Sequence, residues 1–226
     1  MIIVSLTKKI WYERERKRMN FRKHIHVFGR TLVKYEVPQM LIDEINKLYD
    51  THQQDLADSG AKLAGRLANE KTMNSVLKDS LPLATLDLFV LDYYKTLASL
   101  NQIPMAYEKY SIIECWVNEM TSGEYNPIHI HNDGLGSSSI LFLKIPEFKK
   151  EGVKHPHKFR DGQTGFIYEN VTTMVQPKVG DLYLFEAKHQ HFVNPFKSDT
   201  PRRSLSFNFT PSIDGSKKEN VKHLMK

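Results

Sequence analysis

Residues 110–120 read Tyr-Ser-Ile-Ile-Glu-Cys-Trp-Val-Asn-Glu-Met, and this segment carries the strongest indication of the fold class. Its side chains alternate between two sets, one of which contains Tyr110, Trp116 and Asn118. Such a period of two predicts a β-strand, because successive side chains of a strand point to opposite faces of the sheet. The strand marks the point near residue 107 where helical patterning gives way to β patterning.

Seven more short runs with strand character follow this one. Turn signals separate them, such as Thr-Ser-Gly at 121–123 and Asn-Pro at 194–195. Many short antiparallel strands after a helical segment predict an α+β fold, with a double-sheet jelly-roll core (a double-stranded β-helix) that hides the strand edges. The predicted runs are 128–131, 139–145, 164–168, 173–176, 181–185, 190–193 and 204–210.

The chain before residue 107 predicts a helical lead-in. Residues 27–37 alternate weakly and predict an edge strand. Pro38 is placed to open a helix over 38–50, and a second helix is predicted over 82–100 from its apolar stripe. We expect both helices to pack on the outside of one sheet, with an irregular segment at 59–78 between them.

Composition describes an ordinary globular chain, since 40% of its 226 residues are hydrophobic. The net charge of +6 lies at the two ends: residues 1–25 carry eight basic and two acidic side chains, while 26–212 is close to neutral. We therefore predict a basic arm at 1–26, which is disordered or an upstream extension, one domain at 27–212 and a basic tail at 213–226. Within the domain, the helical lead-in is 38–100 and the jelly roll 107–212.

The same sequence bears on which partners and which cellular compartment are expected. No apolar run approaches the roughly 20 residues that span a bilayer, so no membrane is expected. A single cysteine, Cys115, cannot form an internal disulfide, and together with the lack of a secretory signal it favours the cytoplasm. The basic arm could bind nucleic acid through phosphates, but no nucleic-acid fold signature accompanies it. A solvated terminus is the favoured interpretation.

One candidate metal site lies at a predicted strand end. The segment 123–133 reads Gly-Glu-Tyr-Asn-Pro-Ile-His-Ile-His-Asn-Asp. On a strand, His129 and His131 project from the same face, and Asp133 can return from the following turn. Imidazole and carboxylate ligands at this spacing suit a divalent metal of the first transition row.

A second motif follows about sixty residues later. His191 precedes an Arg-Arg-Ser run at 202–204 by eleven residues. On a strand, Arg202 and Ser204 share a face, so a guanidinium and a hydroxyl can reach the same carboxylate. Arginine grips a carboxylate with two parallel hydrogen bonds, which lysine does not reproduce.

Taken together, these motifs resemble the Fe(II)/2-oxoglutarate-dependent oxygenase superfamily, and within it a group of bacterial and phage members with a His-x-His…His…Arg-x-Ser pattern. The likeness covers residues 110–210, about half of the chain. The motifs that carry it are Trp116-Val-Asn118, Gly123-Glu-Tyr125, His129-Ile-His131, the apolar run 138–143, Gly180-Asp181, His191-Phe-Val193, Arg202-Arg-Ser204 and Phe207-Asn208.

The resemblance implies an enzyme that uses Fe(II), 2-oxoglutarate and O₂. It would hydroxylate or demethylate a small molecule or protein side chain while 2-oxoglutarate becomes succinate. By position, His191 matches the distal iron ligand, and Arg202 with Ser204 matches the pair that binds the far carboxylate of 2-oxoglutarate. Asn118 and Tyr110, on one face of the same predicted strand, are further candidates for contacts with 2-oxoglutarate.

The remaining ligands are open to two interpretations. His131 and Asp133 satisfy the superfamily's common His-x-Asp form, whereas the more similar members align on His129 and His131. We favour His131, Asp133 and His191 as the catalytic metal site, because one carboxylate lowers the charge of a ferrous centre. His129, His131 and His191 form the alternative set.

Two other function classes remain. Gly123 and the His-x-His pair match the opening of a cupin motif, which predicts a metal enzyme that does not use 2-oxoglutarate, although the glutamate expected soon afterwards is missing. A non-catalytic jelly-roll binding module is the other. Arg202 and Ser204 distinguish the oxygenase from the cupin, since a cupin needs no carboxylate-binding pair at that position.

Overall fold

A computed structural model gives the fold over most of the chain. It describes residues 21–28, 30–60, 65, 67–100, 102–103, 110–131, 136–150, 154–155 and 159–211. Asp133, residues 1–20 of the predicted arm and the tail at 213–226 lie outside the described residues. The strand beginning at Lys23 lies partly within the region predicted as the arm.

Three helices and three strands precede residue 107 in the described part of the chain. Ser80 caps the longest helix by accepting a hydrogen bond from the Leu83 N–H, and Pro82 occupies its first turn. The helices are α1 (Gln39–His52), α2 (Asn74–Leu77) and α3 (Leu81–Ser99), and the strands are β1 (Lys23–Phe28), β2 (Arg30–Glu36) and β3 (Glu70–Thr72).

Eight antiparallel strands follow. Four of them join the three earlier strands in a major sheet, and the other four form a minor sheet. The eight strands are β4 (Tyr110–Met120), β5 (Asn126–His129), β6 (Ser137–Lys144), β7 (Thr164–Tyr168), β8 (Val171–Val175), β9 (Asp181–Glu186), β10 (Gln190–Val193) and β11 (Arg202–Pro211). The major sheet has the order β1-β2-β9-β6-β11-β4-β3, and the minor sheet has the order β5-β10-β7-β8. The predicted α+β jelly roll is confirmed, because eight strands lie at the predicted places.

The outer face of the major sheet is covered by helices, as predicted. Leu41 and Ile45 of α1 and Phe89 of α3 belong to the same buried cluster as Val117 and Phe207 of the sheet. Helix α3 has apolar residues on most of its circumference, and these are buried because the helix packs against both the sheet and α1. This layer packs against the face of the sheet opposite the cavity.

A second apolar layer lies between the two sheets. Phe142 and Tyr183 of the major sheet pack there with Phe166 of the minor sheet. At the other end, Met120 and Val193 pack with Phe148 and Phe196. The polar cavity described below lies between the two sheets, with Met120 and Val193 among its lining residues.

The structure differs from the predicted lead-in at two places. The predicted edge strand at 27–37 is a hairpin, in which β1 pairs with β2 and β2 pairs with β9. Strand β3 lies in the segment predicted to be irregular, and it pairs with β4 from Glu70 to Thr72. Three residues with polar side chains carry too little periodicity to be recognised as a strand; only pairing with β4 defines this one.

Within the described part of the chain, none of the helices has the length and apolar character needed to cross a membrane.

Candidate metal and co-substrate site

The inner face of the major sheet presents its side chains in rows across the strands. Glu70 lies opposite Asn118, Asn118 opposite Ser204, and Ser204 opposite Phe142. Residues directly opposite in an antiparallel pair project from the same face. This row therefore spans β3, β4, β11 and β6, and it forms the floor of a cavity closed on the other side by the minor sheet.

Three histidines meet on the opposite wall of this cavity. His129 on β5 is the direct pairing partner of His191 on β10, and His131 follows β5 by two residues. One ligand atom from each imidazole lies within 4.8 Å of those of the other two. The His129 and His191 ring centroids are 4.2 Å apart. Such a cluster could hold one metal ion.

Backbone carbonyls fix the tautomers of two of these rings. His129 Nδ1 lies 2.7 Å from the Pro127 carbonyl oxygen, and His191 Nδ1 lies 2.9 Å from the His189 carbonyl oxygen. A carbonyl oxygen only accepts, so each Nδ1 carries the proton and donates it. The lone pair of each ring is then on Nε2, where a metal can bind.

Burial, complete for His191 and partial for His129 and His131, favours the neutral form of all three imidazoles. It lowers the pKa of His131 to about 4 and also lowers the pKa of His129 and of His191. Repulsion between the rings adds to the effect at His131 and His191, since a second positive charge in the cluster is unfavourable. Neutral imidazoles are the form that binds metals, so the cluster is prepared for one at neutral pH.

Asp133, the favoured carboxylate ligand, lies outside the described residues. Its membership of the metal site stays a prediction. His129, the alternative ligand, lies beside His191 with its Nδ1–H donated to a backbone carbonyl, which is the same arrangement that His191 has.

Arg202 is a buried cation in the same cavity. It is 1% exposed, and among the described residues no carboxylate forms an ion pair with it. One terminal nitrogen lies 3.3 Å from Thr164 Oγ1 and the other 3.3 Å from Met120 Sδ, while Nε has no hydrogen-bond partner. Its carbon Cζ lies 5.0 Å from the centre of the Phe142 ring. Burial lowers the pKa of this guanidinium to about 10.

The next residue along β11 has the opposite surroundings. Arg203 points to the other face, where its guanidinium binds Glu119 at 2.5 Å and Asp50 at 2.8 Å and lies over the Tyr49 ring. This arginine is fully compensated by carboxylates. The missing counter-charge at Arg202 is therefore a property of the cavity and indicates an anionic ligand.

Ser204 and Asn118, two of the candidate 2-oxoglutarate contacts, line the cavity with Arg202. Both are buried, and the Asn118 side-chain oxygen has no hydrogen-bond partner. An orphaned amide oxygen in a polar cavity indicates a place where a ligand or water donates a hydrogen bond.

Tyr110 does not share this face, and the prediction that it lies beside Asn118 is corrected. The pairing of β4 with β11 shifts register next to Glu114, where Ile113 is an extra residue. Such a bulge reverses the alternation, so Tyr110 packs against the helical layer and its hydroxyl donates to the Asp87 carbonyl oxygen. The sequence alone gave no sign of the extra residue.

Glu70 was not predicted as a site residue, although it lines the cavity. It is 1% exposed, and both of its carboxylate oxygens lack a hydrogen-bond partner. Burial, followed by the negative charges of Asp58 and Glu124, raises its pKa to about 7. A glutamate in a polar stretch is usually solvated, so no signal in the sequence marks this one.

These residues fit Fe(II) and 2-oxoglutarate. Three neutral imidazoles offer metal ligands on one wall, and an uncompensated guanidinium offers a partner for a carboxylate elsewhere in the same cavity. Comparison with known proteins supports this chemistry. Residues 114–208 match the family model described as "Putative 2OG-Fe(II) oxygenase". This segment is a 2OG-Fe(II) oxygenase domain.

The matched segment begins within β4 and ends within β11, so it covers the β half of the oxygenase fold. It contains His129, His131, His191, Arg202 and Ser204, and it leaves out Glu70 and the helices. The resemblance to the 2OG-Fe(II) oxygenases is confirmed, and with it the assignment of the chain as an oxidoreductase that uses Fe(II), 2-oxoglutarate and O₂.

Solved structures of 2OG oxygenases are similar in fold. A prolyl-4-hydroxylase from Pseudomonas putida is 18% identical, with a TM-score of 0.50 over 80% of this chain and 93% of that one. A prolyl hydroxylase from Trichoplax adhaerens, solved with a hypoxia-inducible-factor peptide, is 15% identical, with a TM-score of 0.50 over 83% and 81%. The non-heme alpha-ketoglutarate-dependent epimerase SnoN of nogalamycin biosynthesis is 12% identical, with a TM-score of 0.51 over 78% of each chain. Among proteins with curated descriptions, none matches this chain.

Proposed function

We propose that this oxygenase hydroxylates or demethylates its substrate in a reaction that converts 2-oxoglutarate and O₂ to succinate and CO₂. The observation that carries the proposal is the buried, uncompensated guanidinium of Arg202 in a cavity walled by three neutral histidines. A cupin-like metal enzyme without 2-oxoglutarate has no use for such a cation, whose burial is unfavourable without an anion.

Different residues of the cavity would bind the metal and the co-substrate. His131 and His191 would hold Fe(II), with Asp133 or His129 as the third ligand. The bound metal supplies the activation of O₂ that is coupled to decarboxylation of 2-oxoglutarate. Arg202 would bind the far carboxylate with two hydrogen bonds, while Ser204 adds a third donor and Thr164 orients the guanidinium. The Asn118 amide would orient the co-substrate or a water beside it.

The first experiment tests whether Arg202, with Ser204, binds the far carboxylate of 2-oxoglutarate. Protein loaded anaerobically with Mn(II) is titrated calorimetrically with 2-oxoglutarate, as wild type and as Arg202→Ala. We expect the substitution to weaken binding of 2-oxoglutarate at least about 30-fold, because the co-substrate loses its charged partner, while Mn(II) still binds. Equal binding of 2-oxoglutarate to both proteins would contradict the proposal. Succinate formation with Fe(II) and O₂ is the accompanying activity measurement.

The second experiment decides between the two ligand sets. Binding of Mn(II) is measured for His129→Ala, Asp133→Ala and His191→Ala. His191→Ala should abolish binding in either case, since that histidine belongs to both sets. Loss in Asp133→Ala with retention in His129→Ala supports the carboxylate set, and the reverse result supports the set of three histidines.

A further inference from the structure

Glu70 is a second uncompensated charge in the cavity. It lies on β3, at the end of the row that continues through Asn118 and Ser204. The chain at Gly60 and Gly65 covers the Glu70 carboxylate. A Cβ added at Gly60 would lie 3.3 Å from one carboxylate oxygen, and a Cβ added at Gly65 would lie 3.3 Å from the other. Both oxygens are therefore enclosed by protein and separated from bulk water.

Neighbouring carboxylates have partners that Glu70 lacks. Glu124 accepts hydrogen bonds from the backbone N–H groups of Ala68 and Thr121, and Glu119 binds Arg203. Asp58 lies 3.9 Å from the Lys71 ammonium and accepts from the Gly60 N–H. A buried carboxylate without a partner is unfavourable, so its presence on a cavity wall indicates that a ligand supplies the partner.

The co-substrate is not that ligand. Arg202 is on β11 and its guanidinium extends toward Phe142 and Thr164, whereas Glu70 is on β3, two strands away and roughly 10 Å at the usual strand spacing. An anion bound by Arg202 would also be repelled by a second negative charge. Glu70 is likewise outside the cluster of metal-ligand atoms formed by the three histidines. It lines the same cavity as the histidines and Arg202 but contacts neither of them in the described residues.

We propose that Glu70 binds a cationic group of the primary substrate, either an amine or a guanidinium, and so selects substrates that carry one. This inference rests on the proposed function and adds the substrate class to it. Among the described residues, the cavity then has a cation for the anionic co-substrate and an anion for the cationic substrate. The two charges lie on the same sheet face, on β11 and β3 with β4 between them, which keeps the two ligands in separate places.

The ionisation of Glu70 agrees with this role. Its pKa of about 7 leaves part of the carboxyl population neutral before substrate binds, which limits the cost of burying it. A bound cation favours the ionised form and forms a charge-assisted hydrogen bond in a place without competing water. A neutral ligand gains no such contact and leaves the carboxylate unpaired.

The test compares matched cationic and neutral compounds. Protein loaded anaerobically with Mn(II) and 2-oxoglutarate is titrated calorimetrically with the N-acetyl amides of lysine and arginine, and with those of norleucine and citrulline, which lack the charge. We expect a cationic member to bind at least about 30-fold more tightly than its neutral counterpart. In Glu70→Gln this preference should disappear, because the amide has a similar shape and no charge.

Asp58→Asn is the matched control, since it removes a nearby negative charge that is exposed and already paired with Lys71. It should change the preference less than about threefold. Equal binding of cationic and neutral compounds to the wild type, or an equal preference in Glu70→Gln, would overturn the inference. If the wild type binds 2-oxoglutarate but shows no such preference, the proposed function stands and only the role of Glu70 fails. If it does not bind 2-oxoglutarate, both fail.

Discussion

Two adjacent arginines show how position on a strand sets the role of a residue. Arg202 and Arg203 have the same chemistry, but successive side chains on β11 point to opposite faces. Arg203 faces the helical layer and binds two carboxylates there. Arg202 faces the cavity, where among the described residues no acidic group pairs with it. One arginine stabilises the fold, and the other is available for a ligand.

Substitution of each arginine by methionine separates these roles. Arg203→Met should lower the free energy of unfolding by about 2 kcal/mol, because it leaves the Glu119 carboxylate, whose side chain is only 14% exposed, without its charged partner. Arg202→Met should change it by less than about 1 kcal/mol or raise it, because a costly buried charge is removed. Urea unfolding without metal or co-substrate measures both. A loss at Arg202→Met as large as that at Arg203→Met would mean that Arg202 also stabilises the fold.

At the scale of the elements, the bulge in β4 determines which side chains reach the cavity. Without the extra residue at Ile113, the alternation that places Trp116 and Asn118 inward would place Tyr110 inward as well. The bulge turns Tyr110 toward α3, where its hydroxyl donates to the Asp87 carbonyl oxygen. The inner face of β4 therefore contributes Asn118 to the site and leaves Tyr110 in the core.

This assignment predicts a selective effect of Tyr110→Phe. Loss of the hydroxyl should lower the free energy of unfolding by about 1 kcal/mol, as for one buried hydrogen bond. Affinity for 2-oxoglutarate, measured with Mn(II), should stay the same, because the ring is on the far side of the sheet. Asn118→Ala is the comparison, and it should weaken that affinity. Weaker binding of 2-oxoglutarate to Tyr110→Phe would place the tyrosine in the site after all.

At the scale of the whole molecule, the histidine cluster makes stability depend on pH. The pKa of His131 is about 4 in the fold because of burial, compared with 6.5 in the unfolded chain. Between these values the unfolded state binds the proton and the folded state does not, so stability falls as the pH falls from 6.5 to 4. The raised pKa of Glu70 acts in the opposite direction, since the folded state holds that proton up to about pH 7.

His131→Gln isolates the histidine contribution. Relative to the wild type, the variant should gain up to about 3 kcal/mol of stability as the pH is lowered from 6.5 to 4, because it has no imidazole to protonate. Urea unfolding of chelator-treated protein at several pH values measures the difference. A His155→Gln variant, at a position whose side chain is exposed, is the control for replacing a histidine by glutamine. A constant difference across this range for His131→Gln would mean that His131 is not buried as a neutral ring.

Local patterns in the amino-acid sequence predicted the β half of the molecule and the residue types of the candidate site. Period-two alternation and turn residues located eight strands of the jelly roll, because a half-buried strand must alternate. The spacing of His129, His131 and His191 from Arg202 and Ser204 indicated a metal and a carboxylate. Strand alternation, the His129–His131 pair and the Arg202–Ser204 pair are local signals, since each depends on residues a few positions apart, whereas the resemblance to a family joined the two motifs.

Pairing between distant strands controls the remaining features, and these are visible only in the folded molecule. The tertiary structure placed His129 directly opposite His191, reversed the face of Tyr110 through a bulge, and recruited Glu70 by pairing β3 with β4. A register and a bulge are set by the partner strand, and whether a charge is compensated depends on every group packed around it. Those relations join residues as far apart as Glu70 and Arg202, and no periodicity within a single segment contains them.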